Sequence, residues 1–167
     1  HNAIINVWGK SGEKGSASRV EQILARMEQL GKEESCTSNF RPDLVTYNTV
    51  MNALAKSGEH GAAERAETIF FNLLKRYEDG DIEVKPDVIS FNTVVDAWAR
   101  SGDERAPSRA QQILNLMEEL HASGHDDLKP TSIIYSTLIN LWARSGKKGS
   151  VSRAEQILSK MERLCQE

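Results

Sequence analysis

The sequence predicts an all-α solenoid of about four stacked, antiparallel helix-pair repeats. Three observations predict it. Ser-Gly pairs at Ser11-Gly12, Ser57-Gly58, Ser101-Gly102 and Ser145-Gly146 are spaced 46, 44 and 44 residues apart. Pro42, Pro86 and Pro130 keep the 44-residue step, as do Arg65, Arg109 and Arg153, with Arg19 one unit earlier. Within each copy, two runs of apolar residues keep helical spacing. A fixed period in this range means that each unit cannot bury its apolar face alone and must stack on its neighbours. The 167 residues therefore read as a single array, 1–167, divided near 1–43, 44–87, 88–131 and 132–167, and as an excerpt from a longer one.

The elements follow in order. In the first unit His1, Ile4, Ile5 and Trp8 share one helix face, and Val20, Ile23, Leu24 and Met27 another. In the second, Tyr47, Val50, Met51 and Leu54 follow i, i+3, i+4, i+7 spacing over 45–56, and Gly58 is placed to end that helix as a left-handed cap. A connection over Glu59 to Arg65 leads to a second helix with Ala66, Ile69, Phe70, Leu73 and Tyr77 on its apolar face, and a loop of about seven residues runs to Pro86. The third unit repeats this with Phe91, Val94, Val95, Trp98 and then Ala110, Ile113, Leu114, Met117. The fourth does so with Tyr135, Leu138, Ile139, Trp142 and then Ala154, Ile157, Leu158, Met161. All three tryptophans fall in one slot, on the apolar face, which assigns them to the core.

Composition excludes several classes. No apolar run approaches the 18 or so residues of a membrane span, and no signal or transit segment is present. Cys36 and Cys165 have neither metal-ligand spacing nor a nearby partner, which fits a reducing compartment. His121 and His125 with Asp126 and Asp127 contain metal-ligating types, but they straddle Gly124 in a loop of one unit only and read as a solvated loop; no metal or cofactor is expected. No unit offers a nucleophile with a base, or a carboxylate pair, so an enzyme is not expected.

The first helices carry a second stripe, opposite the apolar one. Its members are Asn2, Asn6, Lys10; Val45, Asn48, Asn52, Lys56; Ile89, Asn92, Asp96, Arg100; and Ile133, Ser136, Asn140, Arg144. Stacking merges these into a β-branched ladder, an amide or hydroxyl ladder and a cationic ladder. As a solvated face, the stripe explains the cations, which complement the last turn of each helix by about 0.3–1 kcal/mol. It does not explain short Asn and Ser side chains in mid-helix, where propensity disfavours them, or Val and Ile three residues earlier. A nucleic-acid face explains all three: ledges for base faces, amides and hydroxyls for base edges, cations for phosphates. The net charge of −3 argues against it only in sum. The first helices hold four of the 21 cations and one of the 24 acids, leaving 17 basic and 23 acidic residues elsewhere.

The strings Val45-Thr46-Tyr47-Asn48-Thr49-Val50, Ile89-Ser90-Phe91-Asn92-Thr93-Val94 and Ile134-Tyr135-Ser136-Thr137-Leu138, each introduced by a basic residue, Pro and Asp or Thr, resemble the pentatricopeptide repeat. So does the path from Tyr47-Asn48 to Ala55-Lys56-Ser57-Gly58 and on to Ala66 and Ile69-Phe70. The resemblance covers nearly the whole chain. Its units of 44 to 46 residues are longer than that family's usual length of roughly 35, with the excess in the two loops of each unit.

The resemblance implies a right-handed superhelix that binds single-stranded RNA, one nucleotide per unit; the family is itself a type example of base-per-repeat reading. It implies work in RNA processing, stability or translation in a mitochondrion or plastid. Base edges would be read by a first-helix residue together with the last residue of the unit: Asn2 with Asp43, Asn48 with Asp87, Asn92 with Thr131, and Ser136, whose partner would lie past the chain. By that analogy the series reads U, U, pyrimidine, purine, 5′ to 3′. Val45, Ile89 and Ile133 would be base-stacking ledges, and Lys10, Lys56, Arg100 and Arg144 phosphate contacts.

Two alternatives stay open. Asp43, Asp87 and Thr131 directly precede helices and equally suit helix N-caps, worth about 1 kcal/mol each. The stack as a whole equally suits a scaffold for protein partners, within a ribonucleoprotein or outside one. The repeated arginine, near each second-helix start, is expected to make an inter-unit structural contact, because the helix dipole disfavours it there.

Overall fold

The computed structural model describes residues 2–11, 15–31 and 41–164, and of residues 2, 6, 9–11 and 164 the backbone alone. His1, Cys36, Cys165 and the side chains of Asn2, Asn6 and Lys10 lie outside the described residues. Helices α1 (Asn2–Ser11) and α2 (Ser16–Leu30) form the first pair, α3 (Leu44–Ser57) and α4 (Ala62–Glu78) the second. The third is α5 (Val88–Ser101) and α6 (Ala106–Ala122), the fourth α7 (Ser132–Arg144) and α8 (Ser150–Leu164). Among the described residues there is no strand, and the expected all-α stack of helix pairs is what forms.

The first helices pack side by side, α1 on α3, α3 on α5 and α5 on α7. Each second helix packs on its own partner and on the first helix of the following unit: α2 on α3, α4 on α5 and α6 on α7. One core runs through all four pairs. Tyr47, Leu54, Phe70, Phe91, Trp98, Ile113, Leu114, Met117 and Tyr135 are fully buried in it, and Trp8 and Trp142 pack against it partly buried. Across the junction of the second and third units, the Phe70 and Phe91 rings meet edge to face at 4.8 Å.

Helix ends follow local chemistry. Gly58 and Gly102 adopt φ of +65° and +67°, a left-handed cap open to glycine at no steric cost. The inter-helix connection is shorter than the sequence suggests. Helix α4 starts at Ala62, so Arg65 lies in its first turn rather than in a loop, because Gly61 turns the chain and Ala62-Ala63 continues as good helix formers. The longer loop before each proline is partly ordered into a 3-10 turn, at Ile82–Val84 and Asp126–Leu128. Each turn sinks one side chain, Val84 or Leu128, into the core. The two loops are tied by Lys85 Nζ and Asp127 Oδ2 at 2.7 Å.

Polar contacts bolt the units together. The Arg65 guanidinium donates to the Glu21 carboxylate of the preceding unit, and Arg109 Nη2 to Glu67 Oε2 at 2.7 Å, as the sequence predicted for the repeated arginine. Arg19 instead donates to Gln22 in its own helix, and Arg153 is exposed. Glu59 reaches back across the junction, accepting from the backbone N–H groups of Gly15 at 3.0 Å and Ala17 at 3.4 Å, and so caps α2 from the next unit. A further bolt alternates with an apolar contact. Tyr47 Oη donates to Glu28 Oε1 at 2.7 Å and Tyr135 Oη to Glu118 Oε1 at 2.9 Å. At the intervening junction the same two registers hold Phe91 and Leu74, both buried.

Two outcomes follow. Phe70→Ala should destabilise the array by about 3–5 kcal/mol, and Phe71→Ala, whose ring is exposed, by under about 1 kcal/mol, measured by urea unfolding. Burial first, and then the hydrogen bond to a carboxylate, holds the Tyr47 and Tyr135 phenols above the usual phenol range. Unfolded phenols ionise near pH ~10, so this contribution is complete below that pH and is lost above it. The midpoint of thermal unfolding should therefore fall as pH rises past ~10, less steeply in Tyr47→Phe.

Candidate nucleic-acid interface

Because the first helices lie side by side, residues at equal register form rows along one surface. Val45, Ile89 and Ile133 are exposed to 59%, 61% and 64%, although each is a large β-branched apolar residue. Three such residues at one register, each at the second position of its helix, form a row of apolar ledges facing solvent. The sequence-predicted row of ledges is thus available to a ligand.

The next row lies three residues further along each first helix. Asn48 Nδ2 donates to Asp87 Oδ1 at 3.2 Å, so the side chains of one predicted pair, 39 residues apart in sequence, are in direct contact. Asp87 is also the N-cap of α5, its Oδ1 accepting from Ser90 N–H at 2.8 Å, with the Ser90 hydroxyl 3.3 Å from the Asp87 backbone N–H in a reciprocal capping box. Of the two roles left open by the sequence, the N-cap is the one observed at this residue, and the Oδ2 atom of the carboxylate is not used by the cap. Ser90 Oγ, fully buried, lies 2.8 Å from Asn48 Oδ1 and 2.9 Å from Asp87 Oδ1.

The other pairs differ. Asp43 caps α3 through Thr46, accepting from its N–H at 2.7 Å and its hydroxyl at 2.6 Å; its predicted partner Asn2 has its side chain outside the described residues. Thr131 occupies the N-cap position of α7 without a side-chain cap bond. Asn92 Oδ1 and Thr131 Oγ1 are both buried and accept no hydrogen bond, so this pair is not joined as Asn48 and Asp87 are. Ser136 is exposed.

The cationic row is uneven. Lys56 and Arg144 are exposed, and neither has a carboxylate partner among the described residues. Arg100 Nε donates to Asp96 Oδ2 at 2.6 Å, an i, i+4 pair within the same stripe that engages the charge. Lys10 has its side chain outside the described residues. The surface thus offers ledges, one organised donor and acceptor pair, and cations at one edge, and among the described residues no group of three or more potential metal ligands occurs.

Two family profiles match the chain, one described as Pentatricopeptide repeat domain over residues 72–144 and one described as PPR repeat over residues 45–74. The chain belongs to the pentatricopeptide repeat family. Members of this family are helical-repeat proteins that typically bind RNA and are commonly organellar. No curated protein matches the chain significantly.

In this pentatricopeptide array Ser90, which contacts both members of the Asn48 and Asp87 pair, is not among the residues expected from the sequence. The signal was present as Asp87-x-x-Ser90 and Asp43-x-x-Thr46, an N-cap followed by a hydroxyl three residues on, which breaks down at Thr131-x-x-Ile134. The caps make a thermodynamic prediction. Asp43→Ala should cost about 1 kcal/mol, Thr131→Ala close to nothing, and Thr131→Asp should stabilise by about 0.5–1 kcal/mol, all read from urea midpoints.

Proposed function

We propose that this array binds single-stranded RNA with base selectivity, one nucleotide per unit, in RNA processing, stability or translation in a mitochondrion or plastid. The observation that carries the reading is the joined Asn48 and Asp87 pair, in the row next to the exposed ledges Val45 and Ile89. A base seated between two β-branched side chains exchanges water for apolar contact on both faces. The amide donor and the carboxylate acceptor then meet its edge, with Lys56 placed for a phosphate. In the same scheme Asn2 with Asp43, Asn92 with Thr131, and Ser136 read the remaining bases, over the Ile133 ledge and with Lys10, Arg100 and Arg144 on the backbone. By family analogy the preferred series is U, U, pyrimidine, purine from 5′ to 3′.

Pooled short RNAs bound at low and moderate salt test this. Enrichment of a pyrimidine tract followed by a purine is the expected result. Folded protein that binds no RNA at low salt overturns it in favour of a protein-binding scaffold. Asn48→Thr should move the preference at one base only. Lys56→Ala and Arg144→Ala should weaken all sequences alike and flatten the salt dependence by roughly 0.7 per phosphate lost. Asp96→Asn should strengthen binding at low salt, because it releases Arg100 from its ion pair.

A further inference from the structure

We propose that the cleft between the third and fourth units is a reinforced phosphate site, in which Lys147 acts together with Arg144 on one phosphate of the RNA backbone. This rests on the RNA reading proposed above.

The fourth unit departs from the third around the end of its first helix. Asp96, Arg100, Asp103, Glu104 and Arg105 correspond, 44 residues on, to Asn140, Arg144, Lys147, Lys148 and Gly149, and the formal charge of these five registers changes from −1 to +3. In the third unit the cations are answered by contact. Arg100 is engaged by Asp96, and Arg105 by Asp103 and by Glu64 of the preceding unit. In the fourth, a neutral amide stands in the place of Asp96 and a glycine in that of Arg105. Arg144 and Lys147 are exposed, with no carboxylate partner among the described residues.

Lysine is permitted at this register because the structural duty of the acid has lapsed. Glu59, the equivalent residue of the second unit, accepts from the Gly15 and Ala17 backbone N–H groups at the start of α2. Their equivalents at the start of α6 are Arg105 and Pro107. The Arg105 N–H already donates to Asp103 Oδ1 at 2.7 Å, and proline has no N–H to satisfy. No acid is needed from the following unit, and a cation there is left for a ligand.

Arg144 and Lys147 line one cleft of about 650 Å³, to which the third unit contributes Trp98, Asp103 and Glu104 and the fourth unit Asn140. Asn140 and Arg144 also belong to the polar stripe, so the cleft borders the surface that the strand would follow. Its chemistry selects an anion. The two cations only donate, as does Trp98 Nε1, which is buried without an acceptor. Both oxygens of Asp103 are turned to Arg105, which leaves Glu104 as the opposing acid of the cleft. Two cations against one free carboxylate leave a single positive charge, which one phosphodiester balances.

The test uses a short RNA of the preferred series in which one linkage at a time is an uncharged methylphosphonate. Neutralising the linkage between the nucleotides of the third and fourth units should weaken binding about fivefold more than neutralising the one between those of the second and third. Lys147→Ala should abolish that difference and flatten the salt dependence by roughly 0.7, with its urea midpoint unchanged. Glu104→Gln should act in the opposite sense and strengthen binding at low salt. Equal losses at the two linkages, or a Lys147→Ala variant that keeps the wild-type difference, would overturn the proposal and leave RNA binding itself standing. Folded wild-type protein that binds no RNA at low salt overturns the RNA reading, and the phosphate site with it.

Discussion

The structure depends on apolar faces that only a neighbouring unit can close. The contrast between inner and outer units makes this visible. Val50, Val94 and Leu138 are fully buried, yet Ile4, at the same register of α1, is 53% exposed. Phe70 and Leu114 are fully buried, yet Leu158, at the same register of α8, is 44% exposed. Nothing in the local sequence differs enough to cause this; the difference is whether another helix pair lies against the face. Stability in such a stack is a sum of unit and interface contributions, so the side chains at each junction decide how firmly the row of first helices is held.

Those junctions are specified by polar pairs laid over the apolar contact. Arg65 and Arg109 would be poorly placed near helix N-termini but for Glu21 and Glu67 of the preceding units. Tyr47 with Glu28 and Tyr135 with Glu118 alternate with Phe91 and Leu74, so hydroxyl and carboxylate are present together or missing together. A buried hydroxyl without its acceptor would cost more than the bond contributes. The long loops fit the same logic: the 3-10 turns that bury Val84 and Leu128 turn added length into core, leaving the spacing of the first helices to be set by helix packing.

The candidate interface is a property of junctions rather than of units. Asp87 starts one helix and, in the same geometry, faces Asn48 of the helix before it. The last residue of the second unit, by starting the first helix of the third, thereby completes the polar site of its own unit. No isolated helix pair contains both halves, so stacking and the polar site arise together, through backbone N–H groups that need a cap and an amide that needs a partner.

The sequence by itself determined the repeat, the helix pairs, the apolar slots and the three ladders. Each of these is a periodicity, and helical geometry converts periodicity into faces without reference to the rest of the chain. Tyr47, Val50, Met51 and Leu54 could be placed in the core, and Val45, Ile89 and Ile133 opposite it, from spacing alone. Tertiary structure decided which polar groups actually meet. Whether Asp87 caps or faces Asn48, whether Arg100 is engaged by Asp96, and that Ser90 meets an amide 42 residues away, depend on side-chain contacts across a junction. Such contacts are fixed to within tenths of an ångström by how two units pack, and a repeat in one dimension carries the register of those units but not their approach.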